Sequence, residues 1–549
     1  MKTQNKKRMA AAGMAVVLAA AALSGCGSKE AESSMSEKDL DAIAKSGYPI
    51  QTETKQTLKI WTERGGDLVG NYSDPKQYPA VQNYADKLGV DLDWTFASVS
   101  NRAQEFNLLI ASGDLPDIIG YYMANNGKDG MSGGPEKAIQ DGWLQPVNDY
   151  IETYAPEYNE FLNKNPQAAK NVKTDSGQIY MVPYYASDDD NTTSGIGAGY
   201  LFRKDWLDDL GLSLPETIGE WETALRAFKE KKGAEAPLSL QYINVDRGLA
   251  GAFDVHLNWY HEGDTVKYGY AQPQYKEFLA TMNRWYNEGL LDKNYATVDS
   301  KTVAANMLNG KSGATMEWTG TIPKWLPAGK EIDPNFDLAF VPFPVMNKGD
   351  EVKFGHKDPK VYFGGWGITQ TSNKKELAMK VLNYGYTDEG REYLAYGEEG
   401  DTYTIKDGKY TFTDKILKNP EGMTRNEAMR YYINSANIPS HSFTAGTGIR
   451  GISEPIYDYP QQREGIQRMS ATKLDDYRMP YVTPTLEETS EFTRIQSDIQ
   501  KYAEEMLVKF ITGKESLDQF DAYLSELEAR GMSRLTEIMQ NAYDRFEKR

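Results

Sequence analysis

The sequence predicts an α/β fold of more than one lobe, organised around a parallel, doubly wound sheet. Three observations carry this expectation. Short apolar runs alternate with helical stripes from Leu58 to Gly120, and similar patterns recur from Thr217 to Gly385. The chain has 549 residues, too many for one small core.

The elements follow in order. Leu58–Trp61 reads as a strand, and Val81, Tyr84, Ala85 and Leu88 share a helix face that Gly89 ends. Val90–Phe96 alternates with period two, Phe106, Leu109 and Ile110 mark a second helix, and Asp117–Gly120 reads as a third strand. Ligands of open α/β sheets bind beyond the carboxyl ends of the strands, so Thr62–Arg64, Ala97–Ser100 and Tyr121–Tyr122 should rim a crevice. Further on, Thr217 and Glu220 fit a capping box before a face of Trp221, Leu225 and Phe228. A helix with Phe278, Met282, Trp285 and Tyr286 runs to Gly289, and one with Leu377, Val381, Leu382 and Tyr384 to Gly385. Ala314–Trp318 and Asp337–Val341 read as strands. Three apolar stripes, the first from Ile495 to Phe510, the second from Leu517 to Leu527 and the third from Leu535 to Phe546, predict packed C-terminal helices.

The amino end has a different character. A basic head (Met1–Arg8), an apolar run (Met9–Leu23) and Ser24-Gly25-Cys26 make a secretory signal, too short to span a bilayer comfortably. Leu23-Ser24-Gly25-Cys26 resembles the bacterial lipobox. That resemblance implies cleavage after residue 25 and acylation of Cys26, each buried methylene contributing roughly 0.8 kcal/mol to membrane attachment. Residues 26–51 then read as a polar tether. Cys26 is the only cysteine, so disulfides, thiol nucleophiles and Cys-ligated zinc are excluded from the body. A net charge of −18 argues against nucleic acid and against adhesion to anionic lipid, leaving the acyl group as the membrane contact.

Ala111-Ser-Gly-Asp-Leu-Pro-Asp-Ile118, Gly177–Tyr184, Leu201–Leu212, Pro215–Trp221, Gly313–Met316, Trp366–Thr369 and Thr387–Gly390 occur in an order and spacing that resemble type 1 extracellular solute-binding proteins, in particular the lipoprotein sugar-binding subunits of Gram-positive ABC importers. The resemblance implies a periplasmic-binding-protein-like (type II) fold: two α/β lobes, a hinge, a central cleft and extra C-terminal helices. Carried onto this chain, lobe one is expected at 52–183 plus 345–400, and lobe two at 187–338 plus 401–549. Val182–Tyr185 and Val341–Pro344 would be crossings between them. The implied function is capture of a carbohydrate, an oligosaccharide in first place, by hinge closure, and delivery to ABC permease subunits on the outer face of the cell membrane. No nucleotide-binding loop is visible, so another subunit must spend ATP. A monomer without cofactor or metal is expected.

Sugars take flat rings against their C–H faces and paired donors and acceptors at their hydroxyls. Such residues coincide at expected strand ends: Glu63 with Arg64, Tyr121 with Tyr122, Tyr184 with Tyr185, and Glu317 with Trp318. Trp318 leads, because relatives often present a stacking ring at that place. Trp259, Trp366, Trp61 and Asn258 are secondary candidates, and His441–Arg450 is a further stretch that could reach the cleft.

Other motifs carry less. Gly130–Gly134 satisfies G-x-S-x-G without a preceding strand, and Gly446–Gly451 satisfies G-x-G-x-x-G without a βαβ context. None of the four histidines forms a zinc motif. Asp188–Asn191 lacks the turn glycine and closing glutamate of a calcium loop. Where many relatives carry a calcium loop after the helix of Trp221, this chain has Lys231–Pro237. Two rival functions stay open: a polysaccharide-cleaving enzyme using paired carboxylates, and a peptide-binding or sensory lipoprotein with Arg64 or Arg203 as a clamp.

Overall fold

The computed structural model describes residues 33–63, 74–98, 101–121, 130–131, 133–185, 195–241, 248–433 and 459–549. Its strands are β1 (Thr57–Glu63), β2 (Asp91–Ala97), β3 (Ile118–Tyr121), β4 (Val182–Tyr185), β5 (Ala198–Arg203), β6 (Trp259–Glu262), β7 (Thr265–Tyr268), β8 (Ala314–Trp318), β9 (Leu338–Phe340), β10 (Val361–Ile368), β11 (Tyr403–Lys406) and β12 (Lys409–Phe412).

The first sheet has the order β2-β1-β3-β10-β4. β1 pairs in parallel with β2 and β3, while β10 runs antiparallel to β3 and β4. The carboxyl ends of β1 to β4 therefore share one edge with the start of β10, where Val361 faces Tyr185. The two helices between these strands, Pro79–Leu88 and Arg102–Ser112, end on glycines in the left-handed region, as the sequence predicts. At Gly89 (φ +73°) a Cβ would lie 2.9 Å from the Ile50 carbonyl oxygen, so glycine is needed for both turn and approach. The core under this sheet holds Ile60, Trp61, Tyr84, Ile118, Tyr158, Tyr180, Trp366 and Leu377.

The second sheet, β8-β5-β9, is antiparallel. Tyr200 and Phe202 of β5 set their rings edge-on against Trp221, 4.8 and 4.9 Å away, and Trp221 stacks on Trp285 at 6.4 Å. The helix carrying Trp221 (Ile218–Lys232) begins with the expected Thr217–Glu220 capping box. The C-terminal helices, Thr489–Thr512, Phe520–Ala529 and Met532–Glu547, close the same core through Ile499, Phe510, Phe520, Ile538 and Phe546. Each such buried ring or aliphatic chain contributes roughly 1.5–3 kcal/mol.

Several expected boundaries shift. The tether expectation fails for its second half. Ser36 caps a helix over Glu37–Lys45, and Met35, Ile43 and Ile50 enter the first core. An apolar stripe is legible there, but it is short and surrounded by charge. Val182–Tyr185 is a strand of the first sheet rather than a crossing. Val341–Pro344 remains with the second core, and Val345 bridges Thr217. Residues up to about Phe354 stay there too, Phe354 lying against Tyr260. Finally, 401–433, expected with the second lobe, packs on the first. Tyr431 meets Tyr78 at 5.4 Å, Lys87 pairs with Glu398, and Tyr396 stacks on Tyr410.

Candidate sugar-binding site

Two chain segments join the sheets near one place. One leaves β4 at Tyr185 and re-enters the described residues at Gly195, just before β5; the other runs from Phe354 to Val361 at the start of β10. They bond to each other, Asp358 N–H donating to the Gly195 carbonyl at 2.9 Å. Gly195 has φ +79°, and a Cβ there would lie 2.6 Å from the Asp358 carbonyl oxygen, so glycine is required.

Trp318 sits beside this junction. It ends β8, opposite Ala198, and the chain turns at once, with Thr319 N–H donating to the Gly197 carbonyl at 2.8 Å. Gly197 offers no side chain, so the indole lies over it; a Cβ there would be 3.1 Å from the ring. His356 stands edge-on to the indole at 5.3 Å, and its ring lies 3.6 Å from the Asp358 carboxylate. Trp318 nevertheless keeps 47% of its surface exposed, the only exposed tryptophan among the described residues. A large ring held by a strand end, a glycine and a histidine, yet open to solvent, is suited to take up a flat apolar face.

Glu317 precedes it and is half-buried. The Thr321 hydroxyl donates to its carboxylate at 3.1 Å, but burial outweighs that bond and raises its pKa. The turn is fixed from behind by Gln462, whose buried amide donates to the Thr319 carbonyl at 2.9 Å.

The first lobe's candidates behave differently. Tyr121 ends β3 but is buried, stacked on Phe106 at 4.3 Å and edge-on to Trp61 at 5.8 Å. Tyr184 is also buried, edge-on to Trp366 at 5.8 Å. Trp366 is a core residue, contrary to expectation. Its indole fills the space above Gly120, where a Cβ would lie 2.3 Å from the ring. Trp61 is likewise core. Glu63 and Tyr185 lie at the carboxyl edge by backbone position. Arg64, Tyr122, Cys26, Asp188–Asn191 and His441–Arg450 lie outside the described residues.

Trp259 and Asn258 do not join the Trp318 cluster. Trp259 packs on Tyr268 across the β6–β7 hairpin, which leans on the C-terminal helix through Gln540, and the Asn258 side chain accepts from the Trp259 backbone. Arg203 is consumed structurally. It is buried, bonded to Asp205 and sandwiched against Trp206 and Phe336. Sequence reasoning missed Gly197, His356 and Asp358. In sequence His356 stands out only as a candidate metal ligand, and no local pattern tells that it faces a tryptophan 38 positions earlier. Among the described residues no group of acidic, histidine or cysteine side chains could hold a metal ion, and no helix is long and apolar enough to cross a membrane.

The chain is similar to known proteins in sequence and in fold. The chain is 24% identical to the fructooligosaccharide ABC transporter substrate-binding protein FusA of Streptococcus pneumoniae, over 97% of this chain and 98% of that protein. It is 25% identical to lipoprotein LipO of Bacillus subtilis, over 76% of this chain and 80% of that one. The crystal structure of the alginate-binding protein AlgQ2 without calcium superposes with a TM-score of 0.70 at 26% identity, covering 90% of this chain and 99% of that one. Residues 70–392 match the bacterial extracellular solute-binding protein family, and the chain belongs to that family.

Proposed function

We propose that this chain is the lipid-anchored, extracytoplasmic capture subunit of an ABC importer for oligosaccharides. It binds a sugar between its lobes, closes by hinge rotation, and passes the sugar unaltered to permease subunits. The observation that carries this reading is Trp318, half exposed beside the two segments that join the sheets. The ring can take a sugar face in the open site, and the facing edge of the first sheet adds its contacts only when it comes over the sugar. Closure is then favoured by contacts made in the closed state alone. In this reading Trp318 stacks on a sugar face and Glu317 accepts from hydroxyls. From the first lobe, Glu63, Arg64, Tyr121, Tyr122, Tyr184 and Tyr185 are the residues assigned to supply or position the partners. Relatives named for fructooligosaccharide and alginate support a glycan over a peptide. LipO, named as a lipoprotein, supports an acyl anchor at Cys26 and a place on the outer face of the cell membrane. The family captures solutes, so no catalytic pair is assigned.

The test is titration calorimetry with length ladders of fructooligosaccharides and alginate oligosaccharides, with peptides as controls, and chromatography of each sugar afterwards. Saturable heat with one ladder and unchanged sugar is expected. A sugar at about 100 times its Kd should add roughly 2.7 kcal/mol of stability. Binding of peptides alone, or new reducing ends, would replace the reading with one of its rivals.

A further inference from the structure

The excursion between Gly397 and Ile433 connects the two lobes at the site. It leaves the first lobe at Gly397, makes the β11–β12 hairpin, and returns through the helix Arg425–Tyr432. Its base is firm. Tyr396, Tyr403, Phe412, Ile416, Ala428 and Met429 form a small core of their own. Tyr431 is bound into the first lobe's core beside Tyr78, the residue before the helix Pro79–Leu88. Thr424 and Glu427 form a capping box that fixes the first turn of the helix.

That first turn points at the other lobe. The nearest atom to a Cβ built on Gly320 is the Asn426 side-chain nitrogen, at 3.4 Å. The Lys324 charge also acts on the Glu427 carboxylate. Gly320 and Lys324 belong to the turn and helix that directly follow Trp318. The ring and the turn after it thus have different neighbours. His356 and Gly197 stand on the side of the joining segments, and Asn426, exposed and carrying an amide donor and acceptor, stands over the turn beyond.

Resting on the proposed function, we propose that the excursion 397–433 is a lid carried by the first lobe. Its Asn426, which already lies against the turn after Trp318, is held there by closure and ends the site, limiting the length of oligosaccharide that can lie on Trp318. A sugar unit beyond that limit would have to displace the Asn426 amide from the turn. Units short of the limit would not touch it.

Two experiments test this. Wild type and N426A are titrated with the same fructooligosaccharide and alginate ladders. Wild-type affinity should peak at one length. N426A should bind the next longer members about tenfold tighter than wild type does, because the space the amide holds is vacated, with affinity for the shortest binder and the thermal midpoint unchanged. Equal shifts at every length, or none, overturn the lid while leaving sugar binding intact. A wild type that binds neither ladder removes the functional reading beneath it. In the second experiment, G320C and N426C are combined with C26S, so that they are the only thiols. A short bifunctional maleimide should join them faster when the bound oligosaccharide is present. Equal rates with and without sugar make the excursion a fixed strut and overturn the proposal.

Discussion

At the edges that meet the joining segments, the two sheets present their aromatic residues in opposite ways. In the first lobe, Trp61, Tyr121, Tyr184 and Trp366 are all turned inward, and Trp366 is 1% exposed. In the second, Trp318 ends its strand with nearly half its surface in solvent. The inward rings stiffen the sheet and hold its carboxyl edge in place. The outward ring has less packing to lose and is available for a ligand. Aromatic residues at strand ends are therefore of two kinds, separated by what stands next to them. Gly120 opens a slot into the core for Trp366, and Gly197 provides a shelf at the surface for Trp318.

The largest effect should come from Trp366→Ala. Removing a fully buried indole leaves a cavity, and about 3–5 kcal/mol of stability should be lost in urea denaturation. A loss below about 1 kcal/mol would mean that the first lobe's edge is not built on this ring. Trp318→Ala is the counterpart. Because the ring is exposed, stability should change little, while affinity for the bound oligosaccharide should fall by about 2 kcal/mol, roughly thirtyfold, as for a buried anchor in an interface. If both variants lose stability and keep affinity, the contrast between the lobes is only one of packing.

A third variant separates the ring from the joints. Asp175, on the first lobe, accepts from Arg545 and Arg549 of the C-terminal segment at 2.6 Å each, and Arg549 also donates to the Lys170 and Lys173 carbonyls. The helix before Arg549 packs in the second core, so this cluster ties the lobes at a place distinct from the joining segments. Asp175→Ala should cost about 1–2 kcal/mol, since the carboxylate is only partly buried and solvent screens the pairs. Sugar affinity should change less than it does for Trp318→Ala. A larger affinity change than that would place control of closure at the C-terminal tie rather than at the ring.

Local pattern carried much of this. The β-α-β-α-β run, the Thr217 capping box, the helices ended by Gly89 and Gly113 and the C-terminal stripes are each written in a few consecutive residues, and each appears as expected, whereas Gly385 falls inside a 3-10 turn, Tyr384–Tyr386, that continues the helix Lys375–Asn383. Trp318 was legible as a strand-end ring. What could not be read was depth. Trp366 and Trp318 both belong to strands beside glycines, and only the facing strand decides which glycine opens inward. The changeover between lobes near Asp358 was equally hidden. The prolines at Val341–Pro344 mark an extended segment, but Val341 donates to the Tyr200 carbonyl and Val345, the residue after Pro344, to the Glu216 carbonyl, both in the second lobe. Residues 401–433 pack on the first lobe rather than the second because their anchor, Tyr431 on Tyr78, spans 353 positions, beyond any local pattern.

The smallest predicted effect concerns the carboxylate beside the exposed ring. Burial raises the Glu317 pKa above its ordinary 4.5, against the opposing hydrogen bonds from Thr321 and the Trp318 backbone. The folded state therefore holds this proton more tightly than the unfolded chain does. Its contribution to stability is most favourable below pH 4.5 and declines as pH rises through the raised folded-state value. Glutamine keeps an acceptor for Thr321 and does not titrate. Glu317→Gln should then match wild type in acid and become slightly more stable towards neutral pH, while sugar affinity drops because a charged acceptor has become a neutral one. Urea midpoints measured on both sides of pH 4.5 check the sign. A variant that is less stable at neutral pH would mean that the two hydrogen bonds outweigh burial, and that Glu317 is anchored for the fold rather than held at a cost for the ligand.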